Sequence, residues 1–420
     1  VAGVYAAQAL GMMVIVTDHH LPGDELPTAD VIVNPNLPND NFSSKSLAGV
    51  GVVFYLMLAL RAHLRSLNWF SQRGLPEPNL ANYLDLVALG TVCDVVELKE
   101  FNRLFVLKGL ELIHKRYHKG ISKLIDNSKL NTPPSSQDLG YIVGPQINAA
   151  SRIDDSSLAS KLLITNDSEQ IEKISRKLFL LNEKRKLIES QILEEAIKQA
   201  EIQNDSKYIL VYGENWHQGV LGIVASKLQD QFNKPTIVIS FLNSNGIGSA
   251  RSINGIDLGN IILNAKQKNI ILEGGGHAMA AGLKLDYKNL NNFKDFLNES
   301  FEKFDNHFFE KVITYDLVIS INDINHSFLN SLEKLQPFGK GNPEPYFIVS
   351  DLKIDSIKIL KNKNILIFFE NDLGEKIKGI CFNCVGTILG DYIEKYRNYN
   401  FYFGCTITPD KFSRDNRPQL

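Results

Sequence analysis

Cysteine is scarce, with only Cys93, Cys381, Cys384 and Cys405 in 420 residues. Four thiols so widely spread cannot staple a disulfide scaffold, and with no secretory signal in front of them they fit a reducing cytoplasm. The spacing Cys381-Phe-Asn-Cys384 invites a zinc or redox reading, yet a single CxxC without a second ligand pair is a weak signal. Long apolar runs are missing too. Nothing approaches the roughly 18 residues of a membrane span, which argues against a membrane role. Neither charge dominates: 45 Lys and Arg stand against 47 Asp and Glu, a net charge of −2. Any nucleic-acid partner therefore needs a local basic surface. What remains, 44% hydrophobic and 22% charged residues, is the make-up of a soluble globular chain of about two to four domains.

The chain opens on VAGVYAAQALGM, without an initiator Met, as a helix already under way that ends at Gly11. That start reads as a cut. Residues 1 to about 110 then alternate helix and strand: Val14–Val16, Val31–Val33, the helix AGVGVVFYLMLALRAHL and the apolar LDLVALGTVCDVV. This alternation predicts a parallel sheet with covering helices. A polar stretch comes next in which Ile171, Ile174, Leu178, Leu181, Ile188 and Ile192 recur at threes and fours, the stripe of a long helix. A second α/β pattern begins at YILVYG, and from about residue 311 strand-like runs without long helices predict a small barrel or sandwich. The last residues, FSRDNRPQL, show no closing element. The reading is thus α/β: a parallel-sheet domain at 1–155, a connecting helix at 156–205, a second α/β domain at 206–310 and an all-β barrel at 311–420.

The stretch MMVIVTDHHLPGDELP delivers Asp18, His19 and His20 where a buried strand leaves its sheet. Ligands of open α/β sheets bind just beyond the carboxyl ends of strands, so these groups suggest a metal or proton-transfer site. The alternative is a turn capped by Asp18 with both imidazoles in solvent. More ligands are needed, and Asp94 is the best candidate because it ends LVALGTVCD as Asp18 ends its own apolar run. Parallel neighbouring strands would bring both to one rim; alternatively Asp94 is a helix N-cap. Such a mixed set suits one or two ions that polarise a phosphoryl oxygen and activate water. In GGGHAMAAG, glycines precede His277 and a small-residue helix start, a turn that would expose N–H groups to an anion. GSARS adds Ser249 and Arg251, whose planar fork suits phosphate. The alternative is close packing of helix on sheet. Trp216 and His217 precede a Gly-led helix and could stack on or bond a nucleotide, though a lone Trp is more often core. Asn148 and Arg152 in GPQINAASRIDD point to a surface or interdomain role.

Read in order, VIVTDHH, LGTVCDVVEL, GPQINAASRI, NWHQGVLGIVASKL, GSARSI, EGGGHAMAAG and PFGKGNPEPYF resemble the RecJ family of the DHH phosphoesterase superfamily over nearly the whole chain. The resemblance implies a DHH domain, a connecting helix, a DHH-associated domain and an oligonucleotide-binding barrel. It also implies a single-stranded-DNA-specific 5′ to 3′ exonuclease of DNA repair and recombination, using Mn2+ or Mg2+ at a two-metal site. By motif, His19 and Asp94 would be metal ligands, Asp18 would orient the site, and His20 would meet the scissile phosphate or the leaving group. Ser249, Arg251, His277 with Gly275 and Gly276, and Arg152 would grip the 5′-phosphate, with Asn148, Trp216 and His217 as further DNA contacts. The barrel would hold the trailing strand without sequence readout. A monomeric cytoplasmic enzyme served by a helicase and a single-strand-binding protein completes the expectation.

Two departures from the family stand out. Its members carry two further Asp-containing motifs ahead of the DHH strand, whereas residues 1–17 contain no Asp, Glu or His. The expectation is a fragment lacking about half of its metal carboxylates. Gln146 stands where the family usually has Arg, which predicts one cationic contact fewer. Two alternatives remain: a phosphoesterase of short oligonucleotides or cyclic dinucleotides, which the PFGKGNPEPYF-plus-barrel extension argues against, and an inert binder of 5′-phosphorylated single strands.

Overall fold

The structure is a computed structural model that describes residues 1–23, 25–130, 133–203, 205–397, 399–410 and 417–420. Helix α1 (Ala2–Ala9) leads into strand β1 (Ile15–Thr17), which pairs in parallel with β2 (Val31–Val33), Ile15 opposite Val31. Helix α2 (Gly49–Ser66) then supplies Val52 and Phe54 to a core with Leu47, Leu80, Val87 and Phe105. The apolar segment expected to run as a strand beside β1 is instead helix α3 (Leu84–Cys93). Its length decides the matter, because buried strands run four to eight residues and helices ten or more. Its partner is α4 (Glu100–His114), and any side chain at Gly109 would collide with Leu84 O and Ala88, so the two backbones nearly touch.

The chain then leaves this unit and later returns to it. One compact unit holds Val1–His118, Leu130–Tyr141 and Ile313–Leu420; the other holds Lys119–Lys129 and Ile142–Val312. In the second unit, α5 (Gly144–Ile153) carries Pro145 at its start, where the missing N–H costs nothing. The polar stretch after it divides into a short helix, Ser157–Ile164, and the 34-residue α6 (Ser168–Glu201). Asp167 caps α6 by accepting from Glu169 N and Gln170 N. Its stripe of Ile171, Leu178, Leu181 and Ile192 is buried.

Next come β3 (Ile209–Glu214), α7 (Gln218–Phe232), β4 (Thr236–Leu242), β5 (Asn245–Arg251), α8 (Leu258–Gln267), β6 (Glu273–His277), β7 (Ala280–Asp286) and α9 (Leu290–Glu302). The sheet order is β3-β4-β5-β7-β6, parallel only between β3 and β4. α6 and α7 pack one face through Ile192, Ala196, Val220 and Val224. α8 and α9 pack the other through Ile262, Phe293 and Leu297. The glycine run expected to open a helix is therefore strand β6, joined to β7 through Ala278 and Met279.

Back in the first unit lie β8 (Leu317–Ile319), β9 (Phe347–Leu360), β10 (Asn364–Glu370), β11 (Lys376–Cys381), α10 (Ile388–Lys395), β12 (Phe401–Cys405), β13 (Thr408–Pro409) and β14 (Pro418–Gln419). The order β12-β9-β10-β11-β14-β13, with β8 beside β9, makes a curled half-barrel, and α10 means this module is not purely β. β14 pairs with β11 and β13, so the tail does have an ordered partner, although residues 411–416 of FSRDNRPQL lie outside the described residues. The CxxC reading falls here. Cys384 is buried with its Sγ 3.0 Å from Cys381 O, and burial pushes the Cys381 and Cys405 thiols up to about 12, far from a reactive or metal-ready thiolate. Among the described residues no helix is long and apolar enough to cross a membrane.

Candidate functional site

Strand β1 ends one residue before Asp18, whose N–H donates to Val33 O at 3.0 Å and so extends the pairing with β2. Asp18 Oδ1 then accepts from His19 N (2.7 Å), His20 N (3.2 Å) and the His20 ring at Nδ1 (2.7 Å). Burial raises the Asp18 pKa, but the ring and amide hydrogen bonds outweigh it and hold the carboxyl below its ordinary value. From the other side, Asn36 Nδ2 donates to His19 O at 2.7 Å and Asn34 Nδ2 to His20 O at 2.9 Å. Sequence reasoning passed over these two residues. The polar Asn-Pro-Asn directly after β2 was the signal available for them.

His19 packs its ring against the start of α2, where a Cβ on Gly49 would sit 3.6 Å from Cδ2. Its Nε2 lies 3.2 Å from Asp94 Oδ2, with the side chains 17% and 41% exposed. The two residues meet as expected, but not by the expected route. Asp94 is the C-cap of α3, neither a strand end nor an N-cap. A carboxylate at the negative end of a helix dipole is electrostatically unfavourable unless a cation offsets it. His19 and Asp94 thus offer one imidazole nitrogen and one carboxylate oxygen at a negative helix end, donors that fit a divalent ion as part of a ligand set. Among the described residues no group of three or more His, Cys, Asp or Glu could hold an ion.

The anion-binding candidates gather in the second unit. Strand register sets Ser249 opposite Gly282, itself opposite Gly275, and one row on it sets Arg251, Ala280 and His277 in line. Residues paired this way share a face of the sheet. Gly276 alternates to the other face. α7 crosses the near side of this face: a Cβ on Gly222 would come 2.9 Å from Arg251 Nη2 and 3.1 Å from Ser249 Oγ. At Gly275 a side chain would meet open space. Arg152, at the end of α5, donates from Nη1 to Gly219 O at 2.8 Å, near the start of α7.

Desolvation and then the Arg152 charge lower the Arg251 pKa, and desolvation and then Arg185 lower that of Arg152. Guanidinium groups stay charged nonetheless, so an anion placed between them would relieve the crowding. Nearby, Glu189 is committed to Arg185 (2.5 Å) and Lys227 (2.5 Å). Arg152 and Arg251 make no ion pair among the described residues.

Of the remaining candidates, Trp216 and Gln146 are buried, whereas Asn148 and His217 are exposed. Trp216 is only 7% exposed, lies flat against Gly213 and donates from Nε1 to Glu195 Oε2 at 2.9 Å, so its ring has no free face for a base and the stacking expectation is corrected. His217 caps α7, Nδ1 accepting from Gly219 N at 3.1 Å. Asn148 is exposed, one turn before Arg152 on α5. Gln146 is buried and points inward, Nε2 donating to Ser128 Oγ at 2.8 Å and Ile142 O at 3.0 Å. The position therefore serves the interior, and the expectation that it costs the surface a cationic grip on the strand is corrected.

Fold and site together define the class first: a DHH protein with an associated α/β domain and an oligonucleotide-binding module. Family models described as the DHH family N-terminal domain, the DHHA1 domain and the RecJ OB domain match residues 1–91, 205–303 and 315–420. The single-stranded-DNA-specific exonuclease RecJ of Haemophilus influenzae is 40% identical over 87% of this chain, and that of Dickeya dadantii 39% identical over 92%. A crystal structure of RecJ in complex with Mn2+ from Thermus thermophilus superposes on 100% of the chain with a TM-score of 0.80 and 25% identity. The chain belongs to the RecJ family. It spans 65% and 69% of the lengths of the two relatives and 58% of the Thermus chain.

Proposed function

We propose that the protein is a metal-dependent exonuclease that releases nucleotides from the 5′ end of single-stranded DNA. The observation that carries the reading is the meeting of His19 and Asp94, 3.2 Å apart although far apart in the chain, at a negative helix end. His19 and Asp94 would hold a Mn2+ or Mg2+ ion. When bound, such an ion supplies a Lewis acid for the phosphoryl oxygen and a water nucleophile at neutral pH. Asp18 fixes the His20 ring through Nδ1, which leaves the Nε2 edge of a 75% exposed side chain to meet the scissile phosphate or the leaving oxygen. Ser249, Arg251, His277 and the bare backbone at Gly275 grip a terminal 5′-phosphate together with Arg152. The half-barrel holds the trailing strand by its backbone and by stacking, without sequence readout. In this reading the domains divide near residues 155, 205 and 310. The enzyme works as a cytoplasmic monomer, to which a helicase and a single-strand-binding protein deliver substrate in repair and recombination. Four free thiols are consistent with that compartment.

The test is nucleotide release from long single strands carrying a 5′-phosphate or a 5′-hydroxyl, labelled at either end, with Mn2+ present. Release from the 5′ end, faster with the phosphate, is expected; release from the 3′ end, or equal rates on dinucleotides and long strands, overturns the reading. A second reading is favoured by the lack of a three-ligand group among the described residues: phosphate-dependent binding of single strands without cleavage. Binding without nucleotide release in the same assay selects it.

A further inference from the structure

The segment that carries Asp94 is gripped further along by a turn that leads into the half-barrel. Val95, directly after the α3 cap, has a left-handed backbone at φ 56°. Glycine ordinarily fills that position, and a β-branched residue persists there only when its surroundings over-determine it. Those surroundings include Glu97 and Leu98. Leu98 is buried and its N–H donates to Lys340 O at 2.7 Å. A Cβ on Gly339 would come 2.7 Å from Leu98 Cδ1, and one on Gly341 3.0 Å from Glu97 Cβ. Gly341 also has φ 75°, which a side chain would strain.

The turn is itself braced. Gly339 and Asn342 exchange backbone hydrogen bonds at 2.9 and 3.1 Å, while Asn342 Nδ2 ties Leu335 O and Pro337 O at 2.8 and 2.9 Å. Arg103 Nη2 donates to Lys334 O (3.1 Å) and Gln336 O (2.9 Å), and Ser136 Oγ to Phe338 O (2.7 Å). Gln137 Nε2 donates to Glu344 Oε2 at 2.9 Å.

We propose that the turn Pro337–Glu344 is a positioning element for Asp94, clamping Glu97 and Leu98 so that the carboxylate is held toward His19. The inference rests on the reading of Asp94 as a metal ligand. It gives the PFGKGNPE motif a role other than touching DNA: it joins the module that holds the strand to the edge that holds the ion.

The experiment measures Mn2+ affinity by titration calorimetry and single-strand affinity in EDTA by fluorescence anisotropy, on the whole protein and four variants. These are Gly341→Ala, the double variant Arg103→Ala/Ser136→Ala, Asp94→Asn and His19→Ala. Both turn variants are expected to weaken Mn2+ binding about tenfold, the effect typical of losing support behind a ligand, with EDTA single-strand affinity unchanged. Wild-type Mn2+ affinity in both turn variants, with Asp94→Asn and His19→Ala weakened, overturns the proposal. Wild-type Mn2+ affinity in Asp94→Asn overturns the ligand reading instead. If Gly341→Ala fails to fold, the double variant, which leaves the backbone of the turn unchanged, decides.

Discussion

Asp94 and Arg251 each carry a charge at the end of an element, yet the two are held in different ways. Arg251 sits in a strand paired on both sides within a five-stranded sheet, so the ladder alone puts it in line with Ala280 and His277. Asp94 sits on a helix cap before a strained Val95, near a two-stranded ladder of only three residues per strand. Its partner His19 is held by side chains, Asp18 on one side and Asn36 on the other. Where the backbone ladder fixes position, the side chain needs only the right register. Where it does not, a further set of polar residues has to be recruited.

The largest test of that contrast is His19→Ala, expected to lower cleavage by about a thousandfold, roughly 4 kcal/mol of transition-state stabilisation. Single-strand affinity in EDTA should stay at the wild-type level; turnover retained at saturating Mn2+ would remove His19 from the site. Arg251→Ala should next cost about ten- to a hundredfold in preference for a 5′-phosphate over a 5′-hydroxyl end, the scale of a lost charge-assisted hydrogen bond. Arg251→Lys, keeping charge without the fork, should recover part of it in the same competition assay. A smaller effect, about tenfold in Mn2+ affinity, is expected for Asn36→Ala, since the lost partner supports His19 from behind. If calorimetry finds no change, the side-chain bracing of the edge is decorative and the contrast with the sheet collapses.

The smallest effect is a titration. The folded Asp18 pKa is depressed, so the stability it contributes is fully present above the unfolded value near 4 and is lost as pH falls through the lower folded value. A carboxyl NMR titration should therefore place the Asp18 midpoint below 3.8. A midpoint at or above that figure would mean that the turn around His19 and His20 is looser in solution than its hydrogen bonds require.

The meeting of His19 with Asp94 is more legible in the sequence than the elements beneath it. Asp18, His19 and His20 could be read because a short β-branched run must end somewhere, and the residues just beyond a buried strand emerge at the sheet's edge. Asp94 does lie 3.2 Å from His19, although its segment is a helix and not the expected strand. Leu84–Cys93 is apolar apart from Asp85 and Thr91, so it carries no clear period to separate helix from strand, and only its length speaks. The GGGH segment misled in the opposite direction. Glycines before a His suggest a helix entry, but Gly274 faces Ile262 and Ile271 while Gly275 faces open space, the alternation of a strand whose side chains have been deleted. Asn34, Asn36 and the Arg103 grip could not be read at all, because a side chain that serves a distant backbone carbonyl leaves no local pattern.

The discontinuous first unit has a consequence in time. Arg103 and the carbonyls it grips are 231 and 233 residues apart, with all of the second unit made in between. At ribosomal speeds of about 5–20 residues per second, Arg103 waits roughly 10 to 50 seconds for its partners to be synthesised. During that interval the nascent Asp94 segment lacks its brace, while the second unit can fold as a domain of its own. The sheet that carries Ser249, Arg251 and His277 can therefore be complete on the ribosome before the turn that grips Leu98 exists.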